Sequence, residues 1–435
     1  MIVFYLLILS LPFVDHGFFG REIAGLTIEK IIGAACFLYA LAYLPRRSSL
    51  PTPFASGQAK AFGLYVAFAV TSYVVTAETI TFADFVGIFL SQFLFFLTVM
   101  TLVDSRERLQ NVVLVLIASI GVVSLYLIRE WIGNAPTFGL AYRPGWVAGD
   151  PNMFSASALI VLPLMLHPFA IAQRVWQRVC VLGCLAVTGI AFLLAASRGG
   201  FLGLFCMFLW QLRTNRQRII AIGVCVLILF ACLASPYSPF DRILKPTASD
   251  IESSNIRLQL WSVSRSILID HPVFGVGLWN FPKYMHRYLP PGVDLDFVVP
   301  HNTFLEAAVE LGITGLAVFL SVLVLSMFSL ARMRKAAIAM EDAYLATLTN
   351  GLSSGLVGFA VAAMFLSAKH AKLFWFAVFL SACLPPLVQQ FSDSSGTVNE
   401  AEKVLAAPVF EDALVVEPAV AEHIPIRVGN WLTRH

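Results

Sequence analysis

The sequence predicts an all-α, polytopic membrane protein with about twelve transmembrane helices and one large periplasmic loop. Three observations carry that prediction. Hydrophobic residues fill 58% of the 435 positions and charged residues only 13%, about half the charged share of a water-soluble domain. Mean hydropathy is +0.80, and several apolar runs reach the ~20 residues needed to cross the hydrocarbon of a bilayer. Arginine and lysine recur in every second connection between those runs. The formal charge of +3 is too small to suggest a nucleic-acid partner, so the distribution of charge says more than its sum.

Taken in order, spans are expected at about 1–19, 22–44, 60–77, 83–103, 110–132, 153–172, 178–196, 199–212, 218–234, 302–331, 343–366 and 372–391. The run over 1–14 has no basic leader and no small-residue cleavage site, so it reads as a short first span and not as a signal peptide. The chain then divides into nine membrane helices over 1–234, a loop over 235–301, three more helices over 302–391 and a tail over 392–435. Asp393, Glu400, Glu402, Glu411, Asp412, Glu417 and Glu422 replace apolar runs in that tail, which is expected to be disordered. No internal repeat or inverted half is evident, which weakens a secondary-transporter reading.

Orientation follows from the basic connections. Arg46, Arg47 and Lys60 follow the second span, Arg106 and Arg108 the fourth, Arg174 and Arg178 the sixth. Arg213, Arg216 and Arg218 follow the eighth, and Arg332, Arg334 and Lys335 the tenth. Positive residues stay in the cytoplasm, so both termini are expected there. The opposite, outer face then receives the 142–152 connection, the 197–200 turn, the 235–301 loop and the 367–372 turn. In a bacterium that face is periplasmic and the membrane is the inner one. All seven cysteines fall in apolar runs and read as packing residues; Cys180 and Cys184 share a helix face without other ligand types.

The outer face holds the residues suited to chemistry. Arg198 lies between two spans, where a guanidinium is costly unless it is paired or reaches water. Gly199 and Gly200 beside it allow a sharp turn and leave helix-start amides for an anion; a snorkelling arginine is the plainer reading. Arg143 and Asn152 sit in a rigid connection, whose Asp150 and Pro151 are accounted for as an N-cap followed by proline in the first turn. His301 follows Pro300 at the start of the tenth span, with Asn302 or Thr303 as cap. Helix-start dipoles there favour neutral imidazole, which can accept a proton from a hydroxyl; a satisfied interfacial histidine is the alternative. Glu306 and Glu310 share a helix face, and Glu310 either pairs with a site arginine or fixes packing. Gly312 and Gly315 read as close-packing positions. The outer loop also carries Arg257, Arg265, His271, Lys283, His286 and Arg287. Arginines clustered on one side suit a phosphate or diphosphate ligand. No acidic cluster suited to magnesium or another metal is visible there, Asp294 and Asp296 lacking a partner motif, so fixed positive charge is expected to stabilise the leaving group without a cofactor.

At these residues the chain resembles the O-antigen ligase and polymerase superfamily of bacterial membrane glycosyltransferases. The resemblance rests on Arg143 with Gly149, Asp150, Pro151 and Asn152, and on Ser197, Arg198, Gly199 and Gly200. It continues through Arg257 to Trp261, the 272–277 run, and His301 with Asn302 through Glu310 to Gly315, in that order along the chain. It implies transfer of a glycan from undecaprenyl diphosphate at the periplasmic face, to lipid A-core in ligases or to another lipid-linked glycan in polymerases. It also implies His301 as catalytic base and Arg143 and Arg198 as diphosphate contacts, joined by Arg257 and Arg265. Asn152, Asn302 and Glu310 support them. The 77–83 connection lacks the lysine that some ligases place in an early outer turn. A transporter of lipid-linked sugars is the competing class. It would carry ionisable groups through the bilayer midplane, whereas here they gather at one face.

Overall fold

Caps and prolines decide where the helices begin and stop. The computed structural model describes residues 1–13, 22–23, 26–44, 54–76, 82–138, 142–145, 149–211, 223, 248–290 and 299–395. The helices are α1 (Ile2–Ser10), α2 (Ile28–Tyr43), α3 (Gly57–Thr76), α4 (Phe82–Leu102), α5 (Arg106–Phe138), α6 (Pro151–Met165), α7 (Pro168–Ile171), α8 (Val175–Ala195) and α9 (Arg198–Gln211). They continue with α10 (Ala248–Asp270), α11 (Phe281–Met285), α12 (Thr303–Ala339), α13 (Ala343–Ala362), a 3-10 turn (Ala363–Phe365) and α14 (Lys372–Ser395). Two two-residue strands, β1 (Glu22–Ile23) and β2 (Leu26–Thr27), pair antiparallel before α2. Asp150 caps α6 with Pro151 behind it, Asn302 caps α12 through the amides of Phe304 and Leu305, and Asp342 caps α13. Each supplies an acceptor to amides that have no partner within the helix.

Six helical stretches are long and apolar enough to cross a membrane among the described residues: Gly57–Thr76, Arg106–Thr137, Val175–Ala195, Thr303–Ala339, Ala343–Phe365 and Lys372–Gln390. Shorter apolar stretches, Gly87–Leu102 and Pro151–Met165, stand beside them. The expected twelve are therefore not all found. The 1–19 span stops at Ser10, ahead of Pro12, and its 9 residues cover only about 13 Å. The 153–172 span breaks before Pro168, because the residue preceding a proline is pushed out of the helical region, and His167 lies at φ −123°, ψ 58°. The 235–301 stretch, expected as a loop, contains α10 and α11. The 218–234 span lies outside the described residues except Gly223, as does the tail from 396 onward. Leu38, Val74, Ile132 and Val179 stand exposed on helix surfaces, as lipid-facing residues would. Cys36 and Cys383 are buried as expected, whereas Cys180 is exposed on α8.

Ion pairs tie helix ends at opposite ends of the bundle. Arg106 at the start of α5 grips Asp342 at the start of α13 with both terminal guanidinium nitrogens. Nearby, Asp104 accepts from Arg108 at 2.8 Å and from Tyr43, at the end of α2, at 2.7 Å. At the other end Lys372, opening α14, pairs with Glu29 in the first turn of α2. Inside, α13 packs against α6, α9, α12 and α14. A methyl group at Gly203 would come 2.5 Å from the Gly358 carbonyl, and one at Gly355 would come 2.6 Å from that of Ile160. Glycine thus lets α13 approach α9 and α6 backbone to backbone.

One helix is broken on purpose. Gly312, within α12, adopts φ 72° and ψ 178°, a region essentially reserved to glycine. The carbonyls freed by this kink are claimed by the 272–277 run: Val276 N donates to Val309 O at 2.9 Å and Gly277 N to Glu310 O at 2.9 Å. In return Ile313 N donates to Pro272 O at 2.8 Å and the Thr314 hydroxyl to Val273 O. Gly275, at φ 69°, meets the Glu310 backbone where a methyl would lie 2.4 Å away. Gly312→Ala is expected to cost roughly 2 kcal/mol or more of stability, seen as a lower unfolding temperature in detergent. A methyl there would sit 2.1 Å from Val273 O in a backbone conformation alanine resists.

Candidate functional site

The 142–152 connection is held from beneath by Glu130 of α5. One of its carboxylate oxygens accepts from the Tyr142 hydroxyl at 2.7 Å and from Gly145 N at 3.2 Å. So anchored, Arg143 donates from Nε to Ala195 O at 2.8 Å, satisfying an orphan carbonyl at the end of α8, and from Nη2 to Asn152 Oδ1 at 3.0 Å. The same Asn152 oxygen accepts from Ser197 Oγ at 2.8 Å. Ser197 Oγ also receives Gly200 N at 3.1 Å, which caps the first turn of α9. Ala196 between the helices is left-handed, at φ 46°, and this reversal sets Arg198 at the head of α9.

A small polar cavity of about 60 Å³ opens there, and Arg143, Asn152, Ser197, Arg198, Ser253 and Arg257 help to line it. Arg257 comes from α10 and donates from Nη1 to Phe365 O at 3.3 Å. Burial lowers the pKa of its guanidinium, the Arg198 charge lowers it further, and Asp150 opposes both. Like charges held this close with low solvation favour an anion between them. Arg265 does not join them. It lies eight residues further along α10, exposed, about 80° around the helix and ~12 Å along its axis.

His301 is half-buried, with φ 51°, between Pro300 and the cap Asn302. The Pro300 carbonyl accepts from Trp261 Nε1 of α10 at 2.9 Å, so the turn carrying the imidazole is fixed to the helix carrying Arg257. No described residue hydrogen-bonds the His301 ring. Its pKa is lowered from the ordinary 6.5, first by burial and then by the Arg257 charge, with Asp150 and Glu306 pulling the other way. These influences favour the neutral imidazole; His301 does not itself line the cavity, and the charge common to both is that of Arg257. Helix-start dipoles are expected to favour the neutral ring, and burial and the Arg257 charge push in the same direction.

Sequence reasoning left Glu310 between an arginine partner and packing. The structure gives it Lys369, which also donates to Glu306 at 2.7 Å. Lys369 is 2% exposed, as deeply buried as its partners Glu306 at 5% and Glu310 at 1%. Ser253, Glu130 and Lys369 were not singled out beforehand. The one available signal was that two carboxylates four residues apart on an apolar helix require a cation.

Comparison with known proteins adds a family match over part of the chain. Residues 182–320 match the Wzy_C family, described as O-antigen ligase, which supports the superfamily indicated by the motifs. The match takes in Ser197, Arg198, Arg257, the 272–277 run and His301, while Arg143, Asn152 and Lys369 lie outside it. A Haemophilus influenzae protein, described as uncharacterized, is 24% identical over 155 residues, covering 31% of this chain. The matched part spans 39% of that relative's length.

Proposed function

We propose that this chain, whose residues 182–320 match the O-antigen ligase family, is a membrane glycosyltransferase acting on undecaprenyl-diphosphate-linked glycan. The acceptor is a hydroxyl of lipid A-core or of another glycan, at the periplasmic face of the bacterial inner membrane. The observation that carries the reading is the convergence of Arg143, Arg198 and Arg257 on one polar cavity, with neutral His301 under the influence of Arg257 and Asp150.

In this reading the guanidinium groups bind the donor diphosphate and His301 accepts the proton of the acceptor hydroxyl. The acceptor oxygen forms a bond to the anomeric carbon as the bond from that carbon to the diphosphate oxygen breaks. The electron pair leaves with the diphosphate, whose growing charge is met by fixed arginines. A single displacement of this kind inverts the anomeric centre. Asn152, itself bonded by Ser197, holds Arg143, and Asn302 holds the helix start beneath His301.

The reading has a pH signature. A base must be neutral to act, so kcat/KM falls as pH drops through the His301 pKa. Because that pKa is lowered, the acidic limb is expected below the 6.5 of an ordinary histidine, in a pH series with reconstituted protein. An inflection above 6.5 would contradict the assignment. The acceptor is identified by offering purified protein a defined donor with lipid A-core or with a second lipid-linked glycan. Ligation to core marks a ligase, and lengthened lipid-linked chains mark a polymerase. Absence of both products with both acceptors would overturn the reading.

A further inference from the structure

The segment between α13 and α14 is bonded to both halves of the candidate site. Phe365 O accepts from Arg257, and Leu366 O accepts from Thr303 Oγ1 at 2.6 Å. Thr303 Oγ1 in turn accepts from Ala368 N at 2.9 Å. Thr303 is the first residue of α12, two after His301. Lys369 follows, with its ammonium on Glu306 and Glu310 and 5.3 Å from the centre of the Trp279 ring. Its carbonyl accepts from Trp375 Nε1 at 2.8 Å. His370 stacks on Trp279 at 4.6 Å between ring centres, closing the segment onto a residue two positions past the run that docks at the α12 kink.

Apolar contacts tolerate small sliding, whereas a buried ammonium between two buried carboxylates does not. Moving it away strands charge in a medium that cannot solvate it. We infer that Lys369 is a positioning residue: paired with Glu306 and Glu310, it fixes the 365–369 backbone, and Arg257 through Phe365, at one distance from His301. The tie runs from α10 through Phe365, Leu366 and Thr303 to the head of α12. It joins the anion-binding half of the site to the half that bears the base. The inference rests on the proposed transferase reading, in which that distance matters to the reaction.

The test uses the full chain in vesicles, with polyprenyl-diphosphate glycan and acceptor, and reads kcat, KM and the unfolding temperature. Lys369→Met combined with Glu306→Gln and Glu310→Gln removes the buried charge while keeping volume, which buried ion pairs commonly tolerate. This variant is expected to fold with its unfolding temperature little changed, while kcat drops about 100-fold from misplacement. Lys369→Arg alone should recover transfer to within about 10-fold of wild type, since a guanidinium can span both carboxylates. In an Arg257→Ala background the triple change should cost less than about 5-fold more, because the tie then ends on nothing.

Wild-type rates in the triple variant, losses that multiply with Arg257→Ala, or a triple variant that does not fold would each overturn the inference alone. The last outcome would make the cluster purely structural. No transfer by the wild-type chain overturns the functional reading and this inference together.

Discussion

Replacing His301 by alanine or asparagine is expected to lower kcat for glycan transfer by about 10³-fold, with membrane insertion and unfolding temperature close to wild type. The magnitude is that of a lost general base. Asparagine is the sharper choice because it tolerates the positive φ recorded at this position and so removes the imidazole without imposing backbone strain. Donor binding should persist, since His301 is not among the residues that line the cavity with Arg143, Arg198 and Arg257. Kinetics with a synthetic donor check this directly. Transfer at the wild-type rate by His301→Asn would remove the base from the mechanism.

Arg198→Ala is expected to lower kcat/KM for the donor by about 10²-fold to 10³-fold, while KM for the acceptor changes little. Arg198 heads α9 on the cavity wall and stands close enough to Arg257 to depress its pKa. Removing it takes away charge that meets the leaving diphosphate as it develops, a contribution of about 3–4 kcal/mol in comparable oxyanion sites. Arg198→Lys should restore only part of the loss, because an ammonium cannot hold two phosphate oxygens in the fork of a guanidinium. A substitution acting only on folding would move donor and acceptor constants together. Arg265→Ala is the matched control: it lies exposed away from the cavity, and its expected effect on transfer is small.

What could be read from the chain alone was largely local. Asp150 with Pro151, and Asn302 after Pro300, announced two helix starts because a cap and its amides are neighbours in sequence. Ser197 and Arg198 announced a turn between helices for the same reason. Hydropathy failed where prolines cut an apolar run, since averaging over a window hides Pro12 and Pro168. The family resemblance implies Arg265 together with Arg257, but eight residues along one helix turn it to another face. The role of Gly312 was half legible. Close packing was foreseen, but the kink exists because the 272–277 run captures carbonyls 33 residues ahead, Val276 taking Val309 and Gly277 taking Glu310. Lys369 was out of reach, as its carboxylate partners are 63 and 59 residues away. Only the folded chain brings that ammonium to them.

The central claim is that a bond is exchanged at this arginine-lined cavity. Purified protein in vesicles, supplied with a radiolabelled polyprenyl-diphosphate glycan on the side of the cavity and a hydroxyl-bearing acceptor, tests it most directly. The predicted result is label on the acceptor with release of polyprenyl diphosphate in equal amount, lost in His301→Asn. Unaltered donor appearing in the opposite leaflet, with no labelled acceptor, would contradict it.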